Sequence, residues 1–197
     1  MTQSIPQRGM LIVISSPSGG GKTTVIREVR KRRPELGYSI SCTTRDPRPG
    51  EVNGENYIFL SESEFLERIN RDDFLEWEWV HGYRYGTLKN TVAQAIRRGE
   101  SLLFDIDVHG AKSLKEAFPG DSLLIFLKPP DIETLRKRLK SRAEDSPEEI
   151  EKRLKRLNME MEAGKYFEVI LVNDVLENTV NEVIAAIDRK LHDHKVA

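Results

Sequence analysis

The sequence predicts an α/β domain, a parallel five-stranded sheet with helices on both faces. Two observations carry the prediction. Five short apolar runs, at residues 10–14, 38–42, 101–106, 122–127 and 168–172, alternate with segments of helical periodicity. Right-handed β-α-β crossovers produce that alternation. The first run also leads straight into Ser16-Pro17-Ser18-Gly19-Gly20-Gly21-Lys22-Thr23, and a helical pattern follows at once.

That stretch reads as a phosphate-binding loop. Successive glycines let backbone N–H groups turn inward without Cβ clashes, and a helix starting there adds its first-turn N–H groups and dipole. Lys22 can reach β- and γ-phosphates, the Thr23 hydroxyl can join a Mg²⁺ shell, and Thr24 continues the same turn. Ser16 stands where the pattern G-x-x-x-x-G-K-[ST] begins with glycine. Because the position ends a strand, a small residue serves. The sheet is therefore expected to be of the P-loop NTPase type.

Composition sets bounds around this reading. The 197 residues suffice for one domain with a substantial core, and 38% hydrophobic with 32% charged residues describes a globular, charge-rich chain. A net charge of −1 gives no global attraction to nucleic acid or to anionic membranes. A single cysteine, Cys42, makes neither an intrachain disulfide nor a cysteine zinc site. Residues 1–8 are polar and no apolar run exceeds strand length, so a cytoplasmic location is expected, with no export and no membrane insertion.

Along the chain, Val25, Ile26 and Val29 give the first helix, at 22–33, its apolar stripe, and Pro34 stops it. Residues 43–51 are too rich in proline and arginine to continue a sheet. Arg45 and Arg48 on that stiff loop suit a bidentate grip on phosphate, and such loop arginines are expected to contribute little to stability. Short strands and aromatics over 43–85 look like a small substrate-binding insertion. Within it, Ser61-Glu62-Ser63-Glu64 is a capping box, and residues 74–80 alternate so that Glu76 and Glu78 share a face. Residues 81–86 are expected to turn the chain, and Thr87 to cap a helix running to Arg98.

Three further features point to chemistry. Asp105 and Asp107 close the 101–106 strand at its C-terminal end, where parallel sheets bind ligands, and alternation puts both carboxylates on one side. They could accept from Mg²⁺-bound waters or from substrate donors. The stretch 129–165 is dense in charge. Arg138 and Arg142 share a helix face there, and Ser146-Pro147-Glu148-Glu149 caps a further helix that carries Arg153. Asn173-Asp174 sits at the tip of the last strand, and a terminal helix is expected over 179–192.

Taken together, 16–23, then Ser41-Cys42-Thr43-Thr44-Arg45-Asp46-Pro47-Arg48-Pro49-Gly50-Glu51, Tyr57, Glu76, Tyr85-Gly86-Thr87 and Asp105-Ile106-Asp107, the chain resembles the guanylate kinase family over nearly its full length. The resemblance implies Mg-ATP-dependent phosphorylation of GMP, and of dGMP, to GDP. Its partners would be these small molecules, with no nucleic acid and no membrane, and the oligomeric state stays open. It implies a core (1–42, 88–128, 166–197), a small mixed-β GMP-binding insertion (43–87) and a helical lid (129–165). By the same resemblance Arg45, Arg48, Tyr57 and Tyr85 hold the GMP phosphate, while Ser41, Glu76, Thr87 and Asp107 read guanine. Residues Ser16, Pro17, Ser18, Gly19, Gly20, Gly21, Lys22, Thr23 and Thr24 would take the ATP phosphates, with Asn173 and Asp174 near adenine. Lys22, Arg45, Arg138, Arg142 and Arg153 would be catalytic, and Thr23 and Asp105 would face the metal. His109 departs from the family pattern Asp-x-Asp-x-Gln-Gly, standing where glutamine is expected.

Overall fold

The computed structural model describes residues 8–80, 82–131, 133–135 and 147–196. In chain order the first elements are β1 (Leu11–Ser15), α1 (Lys22–Arg32), β2 (Gly37–Tyr38), β3 (Cys42–Thr43), β4 (Ile58–Phe59), α2 (Glu62–Asn70), β5 (Phe74–Val80) and β6 (Tyr83–Leu88). There follow α3 (Lys89–Arg97), β7 (Leu102–Asp105), α4 (Val108–Ala117), β8 (Ser122–Lys128), α5 (Pro147–Gly164), β9 (Val169–Val172) and α6 (Leu176–Val196).

The larger sheet runs β2-β7-β1-β8-β9, parallel at every neighbour. β1 lies at its centre with all five residues fully buried. The period of two along the strands sorts the apolar runs into two cores. Ile12, Ile14, Leu103, Ile125 and Leu127 pack under α1 and α6. Leu11, Val13, Phe104, Leu124 and Phe126 pack on the other face under α3 and α4, joined by Met161 and Ala163 of α5. α5 comes so close there that a Cβ on Gly164 would lie 2.4 Å from the Phe126 ring.

A second sheet, β4-β3-β6-β5, stands above the C-terminal ends of these strands and is mixed: β3 pairs parallel with β4, while β6 runs antiparallel to β3 and β5. Its own small core holds Cys42, Phe65 and Phe74, with Phe65 stacked on Phe74. The capping box at Ser61 forms as expected, with Ser61 and Glu64 each accepting from the other's backbone N–H.

Four expectations change. The strand expected at 38–42 divides between the sheets, because its hydrogen-bond partner changes along the way. Ser39 N–H still donates to Leu103 O, whereas Ser41 O already accepts from Ile58 N–H. Thr87 does not cap a helix: it lies within β6, paired with Glu76, and α3 starts only after Leu88. The residues expected to turn the chain at 81–86 are mostly strand, since β6 begins at Tyr83. The terminal helix is also longer than expected, starting at Leu176.

Candidate active site

The loop 16–23 leaves the end of β1 and opens α1 by way of Gly21 in the left-handed region (φ 89°), with Gly19 there too (φ 82°). Gly20 is required by space, since a Cβ would lie 2.9 Å from Pro17 O and from Ser16 Cβ and Oγ. Ser16, in the place of the first glycine, turns its hydroxyl onto the loop and donates to Pro17 O at 3.1 Å. From the tip of β9, buried Asn173 donates to Gly20 O at 2.7 Å. Asn173 thus braces the loop.

Lys22 Nζ lies 2.8 Å from Asp105 Oδ1 and donates to Ile106 O at 3.0 Å. β7 ends at Asp105, so alternation does not extend to Asp107. Instead Asp107 is the N-cap of α4, accepting from His109 N–H at 3.1 Å and Gly110 N–H at 2.8 Å. Both aspartates nevertheless border the cleft. His109 has an exposed side chain and contributes its backbone N–H.

Across the cleft, β5 presents Glu76 and Glu78. Thr87 on the paired strand donates to Glu76 Oε1 at 2.6 Å. Gly110 leaves the room Glu76 needs, because a Cβ there would come within 3.1 Å of Oε2. Burial pushes the Glu76 carboxyl up to about 7, with the Thr87 hydroxyl opposing and the nearby Asp107 charge adding to it. Glu78 is likewise pushed up to about 7 by burial and by its hydrogen bond to Asp107. Burial works against Asp107 as well, but the Glu78 carboxyl and the Gly110 N–H hold it below its usual range. The two carboxyls are thus pushed in opposite directions, Glu78 up and Asp107 down.

These groups enclose a cleft of about 350 Å³ whose wall includes the whole loop 16–23, Tyr38, Ser41, Tyr57, Glu76, Glu78, Tyr85, Asp105, Asp107, Arg156 and Glu160. Tyr57 and Tyr85 meet edge to face at 5.9 Å. Arg45 lies over the Tyr57 ring at 5.4 Å and pairs with both Glu51 oxygens at 2.8 and 2.9 Å. Arg48 is exposed and joins that loop through its backbone N–H, which donates to Glu51 at 2.7 Å.

Among the described side chains, Thr24, Arg45, Arg48, Thr87, Asn173 and Asp174 do not line the cleft. Thr24 lies on α1 beyond the loop, and Asp174 follows Asn173 past β9. Arg138 and Arg142 lie outside the described residues, as does Ser146; Arg153 is on α5. The structure adds Glu78, Arg156 and Glu160. Glu78 was signalled by its alternation with Glu76. Arg156 and Glu160, four apart on one helix, carried no signal that separated them from other charges on α5.

A glycine loop at the head of the central strand, facing an acidic pocket across one cleft, defines a P-loop phosphotransferase. The comparisons make the assignment particular. A family model described as Guanylate kinase matches residues 8–190. The guanylate kinase of Chlorobium luteolum is 43% identical over 191 residues, covering 97% of each chain, and that of Gloeobacter violaceus is 48% identical, covering 88% of this chain and 84% of its own. A crystal structure of guanylate kinase from Anaplasma phagocytophilum superposes with a TM-score of 0.74 at 27% identity, over 93% of this chain and 87% of that one. The chain belongs to the guanylate kinase family.

Proposed function

We propose that this enzyme transfers the γ-phosphoryl group of ATP to GMP in line, and that the cleft supplies both subsites. The supporting observation is that the loop 16–23 borders the same cavity as Glu76 and Asp107, with Thr87 holding Glu76 from the paired strand. The donor phosphates lie on the loop amides and Lys22. The acceptor phosphate lies toward Tyr57, Tyr85, Arg45 and Arg48, and the base lies against Glu76 and Asp107.

The nucleophile is a phosphate oxygen of GMP, already ionised near neutral pH, so the site needs no general base. What it must do is hold two anions together and neutralise charge as it builds on the transferring group. Lys22 does the second. Thr23, at the start of α1, and Asp105, at the end of β7, are hard oxygen donors bordering the loop, and they fit a Mg²⁺ that arrives with the triphosphate. When bound, that ion supplies charge neutralisation at the phosphates. A coupled assay of ADP release with Mg-ATP across GMP, dGMP, AMP, CMP and UMP tests the reading. GMP and dGMP are expected to be used and the other three rejected.

A further inference from the structure

Helix α5 reaches into the phosphate loop with a carboxylate. Glu160 is half-buried in the cleft wall, and its Oε2 accepts from Ser18 N–H at 3.3 Å. One turn earlier on the same face, Arg156 donates to Glu78 Oε1 at 2.7 Å. The helix is anchored behind these residues by Leu157, packed on Leu135, and by Met161 and Gly164 against the main core. α5 therefore touches the donor half of the cleft through an anion and the acceptor half through a cation.

Inward-facing amides of such a loop are the groups that recognise phosphate oxygens. We propose that Glu160 is a positioning residue of the donor subsite, an internal carboxylate that takes a phosphate's place on the loop and must leave for the triphosphate to seat. The proposal rests on reading 16–23 as that subsite. Its cost to the donor has two parts: the lost Ser18–Glu160 hydrogen bond, and repulsion between a carboxylate and a phosphate in a partly buried cleft. What the contact contributes in return is registration. It holds α5 over the loop, while Arg156 ties the helix to β5 beside the base-reading carboxylates.

Calorimetric titration of inorganic tripolyphosphate, without Mg²⁺, into the full chain tests this. Glu160→Gln is expected to bind tripolyphosphate on the order of tenfold more tightly than the native protein, with GMP affinity unchanged. In turnover, KM for ATP should fall while kcat stays within about twofold, a split that a purely structural role would not give. If Glu160→Gln fails to fold, Glu160→Asp is read in its place, since the shorter side chain withdraws from Ser18 and should shift affinity the same way. Unchanged or weaker tripolyphosphate binding in the folded variant overturns the proposal. Lys22→Ala separates the two readings: if it binds tripolyphosphate as the native protein does, the loop is not the donor subsite and both fail.

Discussion

Lys22 Nζ is held 2.8 Å from the Asp105 carboxylate at the end of the neighbouring parallel strand. The pair is about one-fifth exposed on each side, so the ammonium is aimed at the cleft and only partly shielded. In the proposed donor subsite a phosphate would compete with Asp105 for this charge, and the contact would strengthen as charge develops on the transferring group. Lys22→Ala is expected to lower kcat by a factor on the order of 10³, with much less change in GMP affinity. Near-normal turnover in a folded variant would rule out the loop as the phosphate site.

Arg45 and Arg48 are expected to separate. The sequence led to the same expectation for both, phosphate contact without structural weight. Arg45, however, is 10% exposed, pairs with Glu51 through two oxygens and lies over two aromatic rings. Removing it leaves Glu51 without that partner and uncovers Tyr57. Arg45→Ala is expected to weaken GMP binding by about tenfold or more and also to lower the melting temperature. Arg48→Ala should weaken GMP binding alone, because its side chain is exposed and its structural bond is made by backbone. Equal melting temperatures for the two variants would contradict the structural role of Arg45.

Stability should depend on pH through Glu76. Its carboxyl is raised from 4.5 to about 7, chiefly by burial, so the folded protein binds the proton more tightly than the unfolded chain does. Where the native state holds more protons, stability falls as pH rises. Glu76's contribution is thus complete below about 4.5 and is lost as pH rises to about 7. Lys22, Thr87 and Asp107 face this group, and Glu78, raised to about 7, titrates in the same window. Urea unfolding of free Glu76→Gln at pH 5 and pH 8 should show a shallower decline than the native protein, and higher stability at pH 8. An unchanged slope would mean that Glu76 is not desolvated in solution.

The central sheet was legible because its strands are buried on both faces and so appear as unbroken apolar runs. The division of 38–42 was not. The alternation Ser39, Ile40, Ser41, Cys42 suits a strand in either sheet, and only the partners Leu103 and Ile58 decide where one ends and the other begins. Thr87 was misread for a related reason: a threonine before a helical pattern looks like a cap, but cross-strand pairing with Glu76 takes its hydroxyl. The loop and the two aspartates were found because each has a chemical signature in short range, and Glu76 through the family resemblance. Arg156 and Glu160 acquire meaning only from what α5 crosses, and no local pattern encodes that.

Base choice is the sharpest consequence of the acidic wall. Guanine offers N1–H and an N2 amino group on one edge, and O6 as an acceptor. In the proposed subsite Glu76 and Asp107 would accept from those donors: both border the cleft, Thr87 fixes Glu76 by donating to Oε1 at 2.6 Å, and Ser41 lines the same cavity, where its hydroxyl would face O6. Adenine has an acceptor at N1 and no N2 amino group, so seating it would bury carboxylates without donors. A site built this way can reject the analogue by roughly 10⁴-fold in kcat/KM. Amide substitutions isolate the effect: Gln at 76 still accepts from Thr87, and Asn at 107 still caps α4, so the fold is kept while acceptor capacity and charge are lost. Glu76→Gln and Asp107→Asn are therefore expected to narrow the GMP-over-AMP ratio mainly by losing GMP activity, with melting temperatures near native or higher. Comparable use of AMP and GMP by the native enzyme would show that the carboxylates do not read the base.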